Sequence, residues 1–200
     1  WNVEVWNSKY LLTSDYDGNV SMLDAKTGSE IWNYPAGTFV FDLKVDDIDN
    51  DGRPETAVVT AMGDLIVLDE DGQKMWSFKS KLALYNVGIG NFTGDEKLEV
   101  TCGGIDRHVY VFDSAGKQIG KSPEVERLVH RIAVGNLDYD EYDEIFVVEN
   151  RTIAQLFEFE ANSMTSAWRK PLKVPDEMIN WENPRGGFFA FSVHIDDIDY

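Results

Sequence analysis

The ten residues DDIDNDGRPE, Asp46 to Glu55, carry five acidic side chains. Asp47, Asp49 and Asp51 stand at positions 1, 3 and 5 of a loop, Gly52 at 6, the Arg53 carbonyl at 7 and Glu55 at 9. Carboxylates this close repel and raise one another's pKa unless a cation sits among them. Several oxygen donors on one tight turn suit a hard cation. Ca²⁺ accepts roughly six to eight oxygens in flexible geometry, whereas Mg²⁺ requires a stricter octahedron. Gly52 permits the positive φ that lets the loop wrap. Asp46 falls outside the donor alternation. An EF-hand is excluded, because its twelfth position needs a bidentate glutamate where Val58 stands, and its flanks are helices.

The loop recurs. DLKVDDIDNDGRPETAVVT from Asp42, NVGIGNFTGDEKLEVTCGG from Asn86 and RIAVGNLDYDEYDEIFVVE from Arg131 align, placing Asp47, Asn91 and Asn136 at equivalent positions 44 and 45 residues apart. SVHIDDIDY starts the unit once more, with Asp197 and Asp199. Trp32 and Trp76 share the same 44-residue spacing. In the unit at 136, Asn136, Asp138, Asp140, the Tyr142 carbonyl and Glu144 keep the donor positions, with Glu141 in place of the glycine. In the unit at 91, Asn91, Thr93, Asp95, the Lys97 carbonyl and Glu99 hold only two carboxylates, and a plain hairpin is expected.

Each unit must supply strands to hold its loop. FVFDLKV alternates apolar residues at period two, ETAVVTA is β-branched, and LIVLD and KMWSF follow Gly63-Asp64 and Asp71-Gly72 turns. Four short strands repeating about every 44 residues are the pattern of a β-propeller blade. The fold class expected is all-β, a propeller of four-stranded blades. The chain reads as a single partial propeller: part of a blade over 1–37, blades over 38–80, 81–124 and 125–172, then an insertion and the start of a further blade over 173–200. It begins and stops mid-unit, so the expectation is a segment of a propeller of roughly six to eight blades.

VDDIDNDGRPETAVVT, with its echo VGNLDYDEYDEIFVV, resembles the FG-GAP/VCBS repeat of integrin-α-type propellers, from about Gly18 to Tyr200. The resemblance implies Ca²⁺ held by Asp47, Asp49, Asp51, Arg53 and Glu55, and by the 136–144 set. It also implies a secreted or cell-surface protein. Glu96 and Glu141 depart from the family's glycine. A second stretch, MLDAKTGSEIW from Met22 to Trp32, is similar to the tryptophan-docking repeat of quinoprotein dehydrogenases. VFDSAGKQIG has Gly120 where that tryptophan would stand. The repeat's physical task is a tight turn with a ring packed between blades, and that structural use is the one expected here.

The remaining chemistry is sparse. No nucleophile elbow or phosphate-cradling loop occurs, so no catalytic or organic-cofactor residues are assigned. The insertion WRKPLKVPDEMINWENPRGGFF, from Trp168 to Phe189, gathers Trp168, Arg169, Trp181 and Arg185. Indole beside guanidinium suits a sugar ring with an anionic substituent, and burial over a blade edge is the alternative. A formal net charge of −18 repels nucleic acid and anionic membranes, and no apolar run of about 18 residues is available to insert in a bilayer. The one cysteine, Cys102, reads as a small buried hydrophobe. The function expected is an extracellular, periplasmic or cell-surface propeller, stabilised by structural Ca²⁺ and binding a protein or carbohydrate. The alternative is the propeller of a carbohydrate-active enzyme such as a rhamnogalacturonan-type polysaccharide lyase. A quinoprotein dehydrogenase is the third reading, and whether the chain is an enzyme is left open.

Overall fold

A computed structural model describes residues 2–137, 140–150, 153–160 and 163–172. These form strands only. The first sheet holds β1 (Val3–Trp6), β2 (Tyr10–Ser14), β3 (Asn19–Asp24) and β4 (Glu30–Pro35). The second holds β5 (Val40–Asp46), β6 (Glu55–Thr60), β7 (Asp64–Leu68) and β8 (Lys74–Lys79). The third holds β9 (Leu84–Gly90), β10 (Glu99–Gly104), β11 (Val109–Phe112) and β12 (Gln118–Lys121). The fourth holds β13 (Val129–Gly135), β14 (Glu144–Glu149), β15 (Ile153–Glu160) and β16 (Ser163–Pro171). Each sheet is an antiparallel meander, and the first strands β1, β5, β9 and β13 lie side by side. This is the β-propeller arrangement that the repeat predicts.

The sequence explains the stacking. β6 (ETAVVT) and β10 (EVTCGG) are buried along their whole length, because each lies in a sheet covered on both faces. Alternate residues then serve different neighbours. Val58 joins Leu12, Val20 and Met22 against the first sheet, while Ala57 and Val59 join Val100, Cys102 and Phe112 against the third. A further cluster joins the third and fourth sheets through Val109, Val111, Ile145 and Phe157. Burying each such side chain contributes about 1.5–3 kcal/mol. Cys102 sits within this core, and burial pushes its thiol pKa up.

Tryptophans lock successive sheets. Trp32 Nε1 donates to the Glu70 carbonyl at 2.9 Å, and its ring covers Gly72. Trp76 repeats this with the Ser114 carbonyl at 3.0 Å and Gly116. At the third junction Gly120 leaves room for a ring from the other side, Phe159, whose Cε2 would lie 2.3 Å from a Cβ placed there. The aromatic contact is kept, but its donor sheet has changed.

Two expectations are corrected. The first sheet has all four strands, where the repeat alignment gave part of a blade over 1–37. Its first hairpin is a tight turn with Asn7 and Ser8 at φ 50° and 53°, so it lacks the acidic loop on which the other units align. Trp168 and Arg169 belong to β16 rather than to an irregular insertion. Trp181 and Arg185 lie outside the described residues, as do Asp197 and Asp199.

Candidate metal centre

The β5–β6 hairpin carries the first acidic loop. Strand β5 ends at Asp46, and Pro54 immediately precedes the return strand β6. Asn50 (φ 62°) and Gly52 (φ 86°) supply the two left-handed residues that coil the loop between them. The Asp47 carboxylate organises it from inside, accepting from the Asp51 N–H at 2.9 Å and the Gly52 N–H at 2.8 Å. Glu55 closes the base. It is buried, and its Oε2 accepts from the Ile48 N–H at 2.8 Å.

This coiling brings one carboxylate oxygen each of Asp47, Asp49 and Glu55 within 4.8 Å of one another. Asp49 Oδ1 is buried and accepts no hydrogen bond. Burial pushes the Glu55 carboxyl up to about 7, with the charges of Asp49 and Asp51 adding to the rise. Three converging carboxylates, one with an unsatisfied buried oxygen, fit a hard cation. Asp51 is placed differently from its expected role. Its carboxylate accepts from Arg53 Nε at 3.0 Å and Nη2 at 2.6 Å, and these bonds hold its pKa below the ordinary value. Arg53 also pairs with Glu70 in the β7–β8 turn. The sequence offered Arg53 only as a carbonyl donor. Its side chain is the link between the loop and the neighbouring turn.

The β9–β10 hairpin shows the same frame without the charge. Glu99 Oε2 accepts from the Phe92 N–H at 2.8 Å and the Thr93 N–H at 3.1 Å, and Oε1 accepts from Thr93 Oγ1 at 3.0 Å. A hydroxyl donor thus occupies the place of the Asp49 carboxylate and satisfies the buried glutamate directly. Burial still raises the Glu99 pKa, opposed by these bonds. The left-handed residue comes from Gly94 at φ 73°, in the place of Asn50, so glycine at the position of Glu96 is not required. Thr93 and Gly94 were both visible in the sequence, as a donor replacing an acceptor and a glycine shifted by two.

In the β13–β14 hairpin Glu144 is buried and accepts from the Leu137 N–H at 2.6 Å. The Asn136 amide donates to the Asp140 carbonyl at 2.5 Å, and Asp140 Oδ1 accepts from the Tyr142 N–H at 2.7 Å. Asp138 lies outside the described residues. The ligand-binding candidates that are described, Trp168 and Arg169, are residues of β16 in the fourth sheet and have partners of their own. Arg169 Nε and Nη2 donate to Glu149 at 2.8 and 3.3 Å, and Nη2 donates to Glu126 at 2.8 Å. The guanidinium therefore neutralises Glu149, whose side chain is fully buried. Trp168 leans on Phe146 with ring centroids 5.9 Å apart.

Residues 10–126 match the family described as the lambda-carrageenase β-propeller domain. The chain belongs to that family. It is 30% identical over 112 residues to a lambda-carrageenase of Pseudoalteromonas sp, and 27% identical over 109 residues to the lambda-carrageenase of Pseudoalteromonas carrageenovora. Each match covers 54% of this chain and 11% of the relative's length. Among solved structures, the chain is similar to BBS1N in its complex with ARL6DN, with a TM-score of 0.65 and 11% identity over 87% of this chain and 54% of that one. It is also similar to the computationally designed Ika8 protein, with a TM-score of 0.68 and 12% identity over 84% and 48% of the two chains. At such identities the solved structures speak for the fold alone. No helix among the described residues is long and apolar enough to cross a membrane.

Proposed function

We propose that this chain is propeller scaffold of an extracellular polysaccharide-active protein, and that its β5–β6 hairpin is pinned by a structural Ca²⁺ of the FG-GAP/VCBS type. Membership in the lambda-carrageenase propeller family supports the carbohydrate context. The metal reading rests on one observation: Asp49 Oδ1 is buried and unsatisfied beside Asp47 and Glu55, while the equivalent Thr93 satisfies Glu99 by itself. A cation at the first hairpin would do for Glu55 what the Thr93 hydroxyl does for Glu99. Millimolar extracellular Ca²⁺ suits a site of three side-chain carboxylates with water and a loop carbonyl completing the shell. A net charge of −18 favours the same ion and disfavours an anionic chain lying freely over the surface.

Thermal unfolding in Ca²⁺ and in chelator tests this. An ion at about 100 times its Kd that binds only the folded state stabilises it by about 2.7 kcal/mol. That is several degrees in midpoint for a chain of this size. Asp49→Ala should abolish the difference. Equal midpoints with and without Ca²⁺ in the parent chain would refute the structural metal.

A further inference from the structure

The three long hairpins do more than carry charge. Where one precedes a junction, it reaches the next sheet. The Ile48 carbonyl accepts from the Leu98 N–H at 2.9 Å, and the Asn91 carbonyl accepts from the Asp143 N–H at 2.8 Å. Ile48 and Phe92, each 1% exposed, fill the space beneath. At the first junction the preceding hairpin is the short Asn7–Ser8 turn, which has nothing to extend. The residue equivalent to Leu98 is Pro54, 44 positions earlier, and proline has no N–H to donate. The two departures match each other, and the place of Ile48 stays open. It forms a cleft of about 400 Å³ between the β1–β2 turn and the metal hairpin.

One wall is the stacked pair Trp6 and Tyr10, with ring centroids 5.9 Å apart and 20° between planes. The Lys9 ammonium lies 4.5 Å from the Tyr10 ring centroid. Arg53, Glu70 and Asp71 also line it, together with Ile31, which is 48% exposed. Aromatic rings together with polar groups that donate and accept hydrogen bonds suit a pyranose. Its C–H face would rest on a ring, and its hydroxyls would reach the Lys9 ammonium and the Asp71 carboxylate. Arg53 is already bonded to Glu70 and to Asp51, which leaves Lys9 and Asp71 as the other charged groups of the lining. With Asp51 counted, two cations stand against three carboxylates, so the cleft is close to neutral within a strongly acidic chain and suits hydroxyls more than a strongly charged ligand.

We propose that this cleft is a saccharide subsite, taking about one or two pyranose units of a polysaccharide. It rests on the carbohydrate reading above and adds where the sugar sits. Isothermal titration of the 200-residue chain in Ca²⁺, with neutral and with anionic oligosaccharides, tests it. Binding is expected for at least one series, weakened tenfold or more by Trp6→Ala. Ile31→Trp should weaken it as much by filling the cleft from an exposed position, and it carries the test if Trp6→Ala fails to fold. Binding left unchanged by a folded variant would overturn the cleft while sparing the carbohydrate context. Absence of binding by every oligosaccharide would overturn the subsite, and the Ca²⁺ melting experiment reports on the metal hairpin separately.

Discussion

Glu55, Glu99 and Glu144 are one residue in three settings. Each is buried at the base of a hairpin and accepts the amide of Ile48, Phe92 or Leu137. What differs is the partner at position 3, Asp49 in the first hairpin and Thr93 in the second. Exchanging that one residue should therefore transfer the Ca²⁺ dependence proposed for the first hairpin. Thr93→Asp is expected to make stability depend on Ca²⁺ at the second hairpin, read as a larger midpoint difference between Ca²⁺ and chelator. Thr93→Val removes a bond to a buried carboxylate, costs about 1–3 kcal/mol and leaves the Ca²⁺ difference unchanged. Asp42 makes a second residue-scale case. Burial pushes its carboxyl up to about 6, although Lys44 and the Val87 and Leu43 amides favour the charge. The folded chain then holds a proton that the unfolded chain releases above about pH 4. The contribution is fully present below pH 4 and is lost as pH rises through 6. Asn86 is the equivalent residue and uses its amide to donate to the His130 carbonyl at 2.8 Å. Asp42→Asn should therefore be accommodated, and urea unfolding across pH 4–7 should show a flatter profile than the parent, by about 2–3 kcal/mol at most.

The elements show what the sequence can and cannot convey. The β7–β8 turn was legible in Asp71-Gly72, and Trp32 and Trp76 marked the repeat at a fixed spacing, whereas VFDSAGKQIG was legible only as a copy that had lost its tryptophan. In the structure Asp69 Oδ1 accepts from the Asp71 and Gln73 amides, and Asp113 Oδ1 accepts from those of Ala115 and Lys117. The glycines serve a second purpose that local pattern does not reveal. Gly72 and Gly116 lie under the rings of Trp32 and Trp76, which come from the preceding sheet. Gly120 looked like a missing tryptophan for the same reason: its ring, from Phe159, belongs to another strand of another unit. These roles separate experimentally. Gly28 (φ 70°) has nothing within 4 Å of a Cβ, so Gly28→Ala should cost only the left-handed backbone penalty, about 1–2 kcal/mol. Gly116 (φ 84°) would set its Cβ 2.6 Å from the Trp76 ring. Gly116→Ala should add an overpacking cost of about 1–3 kcal/mol to that. Equal losses in denaturant unfolding would mean that the tryptophan lock contributes little.

Across the whole molecule, stability is set at the junctions, since each sheet buries its faces only against its neighbours. The junctions are unequal. Those between the second and third sheets and between the third and fourth have an apolar cluster and a hairpin-to-hairpin hydrogen bond, from Leu98 to Ile48 and from Asp143 to Asn91. The first junction has its cluster, the Trp32 lock and the Lys44–Glu4 ion pair, but Pro54 and the short turn deny it the hairpin bond. The repeat was legible because three hairpins share one spacing. The first sheet was not, because the feature that marks a unit is the feature it lacks. Its outward residues Val3 and Val5 are 65% and 58% exposed, whereas every residue of β6 and β10 is buried. Native-state hydrogen exchange should follow this order. Amides of β6 and β10 should open only with global unfolding, and those of β1 and β2 should open earlier as a unit. Leu98→Pro removes the hairpin amide at the second junction, copying what Pro54 does at the first. It should lower protection in β9 and β10 while leaving β2 and β3 unchanged. A uniform loss across all sheets would show instead that the propeller unfolds as one cooperative body, with no junction weaker than another.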